Sequence, residues 1–271
     1  MKKTLIILFL FCVYYANAQR EDSIATKTTT SFQPKKLNLA ESFSKMNETN
    51  KRIRSLILPA TFIAYGFIAL ENDKLLSLDN WVRQKVWVDN PHQPAHFDDA
   101  LQYVPGISVY VLNGLGIQGK NNLLDATRQY LISSILMMVV VQSGKAITKL
   151  RRPDGFGTNT FPGGYTATAF VAAEFLHQEF KDKPPWISIM GYTMAVVVGY
   201  MRIYNNRHWL KDDIAGAGIG MGITKLVYWF YPKVKDKIFK NKPMNAMVMP
   251  YYQQGVGGIT LVYNFHKNIS R

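Results

Sequence analysis

Three short stretches of the chain carry residue types that can handle a phosphate-like oxyanion. In the first, Lys145 is followed seven positions later by Arg152-Pro153. The second is Phe161-Pro162-Gly163-Gly164-Tyr165, which leads straight into Thr166-Ala167-Thr168. The third runs from Arg202 through His208 to Asp212. Lys145 and Arg152 flank the end of one helix and can converge on a single anion, the guanidinium through two parallel hydrogen bonds. Gly163 and Gly164 open a helix whose backbone N–H groups point outward at the positive end of the helix dipole. That arrangement cradles a phosphate, and glycine lets the ligand approach the backbone closely. His208 and Asp212 are four positions apart, which on a helix places them on one face. The aspartate then accepts from one ring nitrogen and leaves the other free to attack. Arg202 adds a third cation from the end of the preceding helix, while Asp213, a step further round, reads as solvated.

Each stretch alone has an ordinary reading. Lys145, Arg151 and Arg152 suit a solvated helix end, a lone histidine is more often structural than catalytic, and Gly-Gly is a common turn. Jointly they are harder to dismiss: K-x6-R-P and R-x5-H-x3-D co-occur by chance in on the order of one chain in a thousand.

The ordered set resembles the signature of the type-2 phosphatidic acid phosphatase and vanadium haloperoxidase superfamily: K-x6-R-P, then P-S-G-H, then S-R-x5-H-x3-D. The resemblance covers about residues 125 to 225. It implies an all-α fold, a helical bundle of the phosphatidic acid phosphatase/haloperoxidase type, and removal of phosphate from phospholipids, prenyl pyrophosphates, lipid A or small phosphomonoesters. By position, Lys145, Arg152 and Arg202 with the backbone of Gly163 and Gly164 are expected to hold the phosphate. His208 is expected to form a phosphohistidine, and Asp212 to orient it.

Two departures bear on activity. Pro162-Gly163-Gly164-Tyr165 stands where the signature reads Pro-Ser-Gly-His, and Met201 stands in place of the serine before Arg202. The N–H of Gly163 is expected to remain available to the ligand. The histidine that protonates the leaving oxygen in the family is replaced by Tyr165, a poor acid at neutral pH with an ordinary pKa near 10. Such help contributes roughly 10² to 10⁴ in rate. A pyrophosphate, whose leaving group is already a stable anion, loses less than an alkyl phosphate. The expected function is an exported phosphatase-like protein acting on a lipid-linked phosphate or pyrophosphate, impaired at leaving-group protonation. The alternative is a non-catalytic binder of anionic lipid or phosphate at the membrane. No cofactor is expected, vanadate serving only as a phosphate mimic. No metal is expected either, because Pro94 between His92 and His96 argues against a helical ligand pair.

The elements that must position these residues are apolar stretches of helical type at 53–70, 101–117, 124–148, 166–180, 186–204 and 209–230, separated by loops such as Pro91 to Pro94 and Lys183 to Pro185. Gly216 to Gly222 holds two overlapping Gly-xxx-Gly pairs, which favour close helix contact. Residues 1–18 read as a signal peptide, from Lys2-Lys3, the apolar run Leu5 to Tyr15 and Ala16-Asn17-Ala18. Residues 19–50 read as a flexible polar lead-in that ends in a short amphipathic helix. The helical phosphatase-like domain is placed at 51–240, and 241–271 is expected to be a C-terminal β-hairpin turning at Gly255 to Gly258.

Cys12, the single cysteine, falls in the signal peptide, so no disulfide is expected after cleavage. The formal charge of +14 drops by two with Lys2 and Lys3, and suits a phosphorylated lipid or small phosphate substrate and an anionic membrane surface. Nucleic acid is disfavoured by the lack of any recognised binding motif, and no protein partner is expected. The expected location is the periplasm after signal-peptide cleavage. Uninterrupted apolar runs reach about 15 or 16 residues against the roughly 20 needed to span a bilayer. With a mean hydropathy of −0.07, a soluble or peripherally bound domain is expected, and an integral bundle is the alternative.

Overall fold

A computed structural model describes residues 39–238, 246–253 and 256–263. The segment expected to be a signal peptide and most of the expected polar lead-in therefore lie outside the described residues. Nine α-helices are described: α1 Leu39–Ser55, α2 Ile57–Ile68, α3 Asp73–Arg83, α4 Asp98–Leu101, α5 Val104–Gly114, α6 Leu123–Thr148, α7 Gly164–Phe180, α8 Trp186–Tyr204 and α9 Leu210–Ile238. A π-helical turn, Gln84–Val88, continues α3. Two antiparallel strands, β1 Ala246–Gln253 and β2 Val256–Tyr263, pair Ala246 with Tyr263 and Gln253 with Val256.

The centre of the bundle is α7, which packs against α5, α6, α8 and α9. Of its 17 residues 12 are buried, so it is enclosed on all sides. Its alanines let neighbours come close while Phe170, Phe175 and Phe180 fill the space between them. The glycines of α9 make two opposite seams. A Cβ on Gly216 would lie 2.3 Å from the Gly163 carbonyl, and one on Gly220 would lie 2.4 Å from that of Ala167. On the other side, a Cβ on Gly218 would lie 2.7 Å from the Pro59 carbonyl of α2. Thus α9 is gripped by α7 along one row of glycines and by α2 along the other. This sets the first turns of α7 and α9, which carry the site, directly against each other.

Among the described residues, two helices are long and apolar enough to cross a membrane, α6 and α8; a third span results if the bent pair Met46–Ile68 and Asp73–Val88, at 95°, counts as one. This departs from the expectation drawn from uninterrupted apolar runs, and α6 supplies the reason. The polar residues that break its run, Gln129 and Ser133, are buried against the bundle, while Leu131, Ile135, Met138 and Val139 face outward. The helix is polar inward and apolar outward, with only 17% of its apolar window buried.

Candidate functional site

The site is assembled where the end of α6, the start of α7, the end of α8 and the start of α9 meet. Asn122 caps α6 through Asp125 N–H, and the helix runs to Thr148, placing Lys145 in its last turn. Lys149 then turns the chain with a positive φ of 48°. The following loop is closed by Arg152 N–H on the Gly157 carbonyl (3.2 Å) and Thr160 N–H on the Leu150 carbonyl (3.2 Å). It is tied to the third stretch by Arg207 with Asp154 (3.1 Å) and by Trp209 Nε1 with the Arg151 carbonyl (3.1 Å). Arg152 is half-buried, and its Nε has no hydrogen-bond partner among the described residues.

Gly163 caps α7 without a side chain. The first N–H groups of a helix have no intrahelical acceptor, but that of Gly163 is not available to a ligand, contrary to expectation. It donates to the Asp212 carbonyl at 2.8 Å. The donors left at the helix start are those of Gly164 and its successors, and Gly164 is the position nearest Lys145: a Cβ there would lie 3.5 Å from Lys145 Nζ.

His208 and Asp212 do not share a helix face. His208 sits in the loop before α9, and Asp212 belongs to that helix's first turn, where its Oδ2 accepts from Trp209 N–H at 2.9 Å. His208 Nδ1 is 3.6 Å from Asp212 Oδ2, too far for a direct hydrogen bond. Thr160 lies between them. Its hydroxyl donates to Asp212 Oδ2 at 2.5 Å and faces His208 Nδ1 at 3.1 Å, so it accepts the Nδ1–H. This chain assigns the proton to Nδ1 and leaves Nε2 with its lone pair exposed for attack. His208 is almost fully buried, and burial, opposed by Asp212, holds its pKa below the ordinary histidine value.

Arg202 closes the other side. It is 8% exposed, its Nη1 donates to fully buried Asp98 at 2.8 Å, and its guanidinium carbon sits 4.0 Å from the centre of the Tyr165 ring. Tyr165 therefore covers Arg202, and burial and the nearby Asp99 carboxylate raise its phenol pKa further. Asp213 is not solvated: it is 5% exposed and accepts from Thr166 Oγ1 at 2.6 Å. Lys145, Arg202, Asp212 and Asp213 all act on one another electrostatically, with Arg152 beside Lys145. Of the five buried side-chain polar atoms without a partner among the described residues, four belong to this cluster: Arg152 Nε, Arg202 Nε, Asp212 Oδ1 and Asp213 Oδ2.

Residues 127–236 match the family model of the PAP2 superfamily. A lipid A 1-phosphatase from Porphyromonas gingivalis is 36% identical over 148 residues, covering 53% of this chain and 32% of the relative. An undecaprenyl-diphosphatase from Sulfolobus acidocaldarius is 29% identical over 106 residues, 35% of this chain and 50% of the relative. A lipid A 4'-phosphatase from Bacteroides thetaiotaomicron is 33% identical over 94 residues, 35% of this chain and 40% of the relative. The chain thus spans half or less of the length of these curated relatives.

The PAP2 segment holds all eight residues singled out from the sequence: Lys145, Arg152, Gly163, Gly164, Tyr165, Arg202, His208 and Asp212. Sequence reasoning missed Thr160, Asp98 and the burial of Asp213. Thr160 precedes the Pro-Gly loop with no characteristic spacing, and Asp98 arrives from α4, which is 104 positions away from Arg202. Both His92 ring nitrogens face carbonyl oxygens, of Asn90 and Tyr204, and its ring stacks on Tyr204. No cluster of metal-ligating residues occurs among the described residues.

Proposed function

We propose that this chain is a membrane-associated hydrolase of a lipid-linked phosphate or diphosphate, working through a phosphohistidine on His208. The observation that carries this reading is His208 itself. Its Nδ1 is fixed through Thr160 to Asp212, its Nε2 has no protein partner among the described residues, and Lys145 and Arg202 act on it, with Arg152 beside Lys145.

In the first step Nε2 attacks phosphorus; the N–P bond forms and the bond to the leaving oxygen breaks. The imidazolium character that develops is stabilised by Asp212 through the Thr160 hydroxyl. Lys145, Arg152 and the N–H groups at the start of α7 take up charge on the phosphoryl oxygens. In the second step water attacks the phosphohistidine, releases inorganic phosphate and restores neutral His208. Protonation of the leaving oxygen is the weak point. Tyr165, its pKa raised and its ring laid on Arg202, is a poor donor, so a diphosphate, which departs as an anion, is favoured over a monoester. The names of the relatives, two lipid A phosphatases and an undecaprenyl-diphosphatase, support a lipid-borne substrate. The outward apolar face of α6 supports an association with the bilayer that carries such a substrate.

A second reading is favoured by one contact. Arg202 is already paired with Asp98 and covered by Tyr165, as suits a protein that binds an anionic headgroup without turning it over. One assay separates the two. The detergent-solubilised full chain is offered a lipid diphosphate and a lipid monophosphate, alongside His208→Ala and Tyr165→His. Hydrolysis of the diphosphate, lost in His208→Ala, and a gain on the monoester in Tyr165→His of roughly 10²-fold or more support the enzyme. Equal or faster monoester turnover by the native protein contradicts the diphosphate preference. No turnover by either form favours the binder.

A further inference from the structure

Gly163 has no side chain, yet the space beside its Cα is filled. A Cβ at this position would lie 2.5 Å from Asp213 Oδ1 and 3.0 Å from the Asp212 carbonyl. A carboxyl from α9 therefore occupies, through space, the place where the family signature carries a serine side chain at the start of α7. Asp213 is 5% exposed, and its two oxygens differ. Oδ1 accepts the Thr166 hydroxyl at 2.6 Å, whereas Oδ2 is fully shielded from solvent and has no partner among the described residues. The charged groups acting on it are Asp212 beside it on α9, Arg202 from the end of α8 and Lys145 from the end of α6.

We infer that Asp213 is a further ligand-binding residue of this site, which in its protonated form donates from Oδ2 to an oxygen of the bound phosphoryl group. The inference rests on the reading of the cluster as a phosphate site. An ionised carboxylate here would oppose a phosphate, but a neutral acid has a donor to offer, and Oδ1, already accepting from Thr166, leaves the proton to Oδ2. Burial in this pocket pushes the carboxyl well above the ordinary aspartate range, with neighbouring Asp212 adding to it, and so favours the neutral form. Phosphate binding then has a proton requirement that a serine or asparagine donor would lack.

The test is binding of inorganic orthovanadate to the detergent-solubilised full chain across pH 6 to 9, comparing native protein with Asp213→Asn and Asp213→Val. Asparagine keeps the shape and an N–H donor without an ionisable proton. Thermal unfolding of each form establishes that it is folded, and all forms see the same vanadate species at each pH. The expected result is native affinity that falls with rising pH relative to Asp213→Asn, the gap widening as the carboxyl ionises, and an Asp213→Val form weaker at pH 6 by roughly 10- to 100-fold. Native and Asn forms with superimposable profiles, or a Val form that binds as tightly as native at pH 6, would overturn it. Lipid diphosphate turnover measured on the same preparations separates the two readings. Turnover with superimposable vanadate profiles removes the role of Asp213 alone. A divergent profile without turnover upholds that role and removes the hydrolase. Absence of vanadate binding in every form removes both.

Discussion

At the scale of single residues, the site turns on how one imidazole is held. Thr160 is the link between His208 and Asp212, so Thr160→Val removes a hydrogen bond to the Asp212 carboxylate and another from the neutral His208 ring while preserving shape. A bond to a charged group contributes about 1.5–3 kcal/mol and a neutral one about 0.5–1.5 kcal/mol. The expected outcome is a kcat on the lipid diphosphate lowered roughly 10- to 100-fold with little change in KM, and recovery in Thr160→Ser. A loss confined to KM would remove the orienting role. The pH dependence has a defined sign. Burial holds His208 neutral below the ordinary histidine value, so the proposed nucleophile remains unprotonated as pH falls through about 6.5, and the acid limb of kcat/KM is expected below that point. His208 also bears on stability. Because its folded pKa is depressed, the unfolded chain binds the proton first on acidification, and stability present above the ordinary value declines as pH falls below it. Asp213 runs the other way. Its raised carboxyl is fully stabilising only below the ordinary aspartate value and loses that contribution as pH rises toward its folded pKa.

At the scale of elements, the glycine seams decide what α7 and α9 tolerate. Gly220→Ala would press a methyl onto the Ala167 carbonyl, whereas at Gly222 the nearest atom is 3.5 Å away, an ordinary contact. Gly220→Ala is expected to destabilise the protein by about 1–3 kcal/mol, and Gly222→Ala to leave the melting temperature within a degree or two of native or raise it, as glycine-to-alanine changes inside helices do. Comparable losses from both would mean that the seam is not the constraint. The same elements show what the sequence made legible. Lys145, Arg152, Arg202, His208 and Asp212 could be singled out because their spacing is local to one helix end or one turn. The helix assumed to carry both His208 and Asp212 was an error of boundary: α9 begins at Leu210, and Trp209 and Thr160 occupy the bonding positions that a shared helix face would have made unnecessary. Asp98 and Thr160 could not be read, since each reaches the site through tertiary packing from a distant position and neither belongs to a periodic pattern.

At the scale of the whole molecule, the all-helical body was legible from apolar periodicity, but its relation to the bilayer was not. Counting unbroken apolar runs treats every polar residue as an interruption, whereas in α6 Asp125, Gln129 and Ser133 turn inward to a polar interior. There Asp125 accepts from the Tyr231 hydroxyl (2.7 Å) and meets Lys235 at 2.7 Å. Glu174, fully buried on α7, likewise binds Lys225 at 2.8 Å and Gln178 at 2.6 Å. Outward leucine, isoleucine and methionine with inward charge is the pattern of a helix that faces lipid. The protein is accordingly expected to resist extraction from membranes by high salt or alkaline carbonate and to be released by detergent; release by salt alone would place it at the surface.

The contact between Gly163 and the Asp213 carboxyl also constrains the order in which the site can be altered. A side chain restored at 163 while Asp213 remains meets the carboxyl oxygen that Thr166 holds, and the Asp212 carbonyl at 3.0 Å. Removing the carboxyl first opens that space. A survey of single substitutions would therefore score serine at 163 more severely than the pair Gly163→Ser with Asp213→Ala, in which the Asp212 carbonyl at 3.0 Å is the close contact that remains. A change of this loop to the Pro-Ser-Gly-His form therefore couples position 163 to position 213.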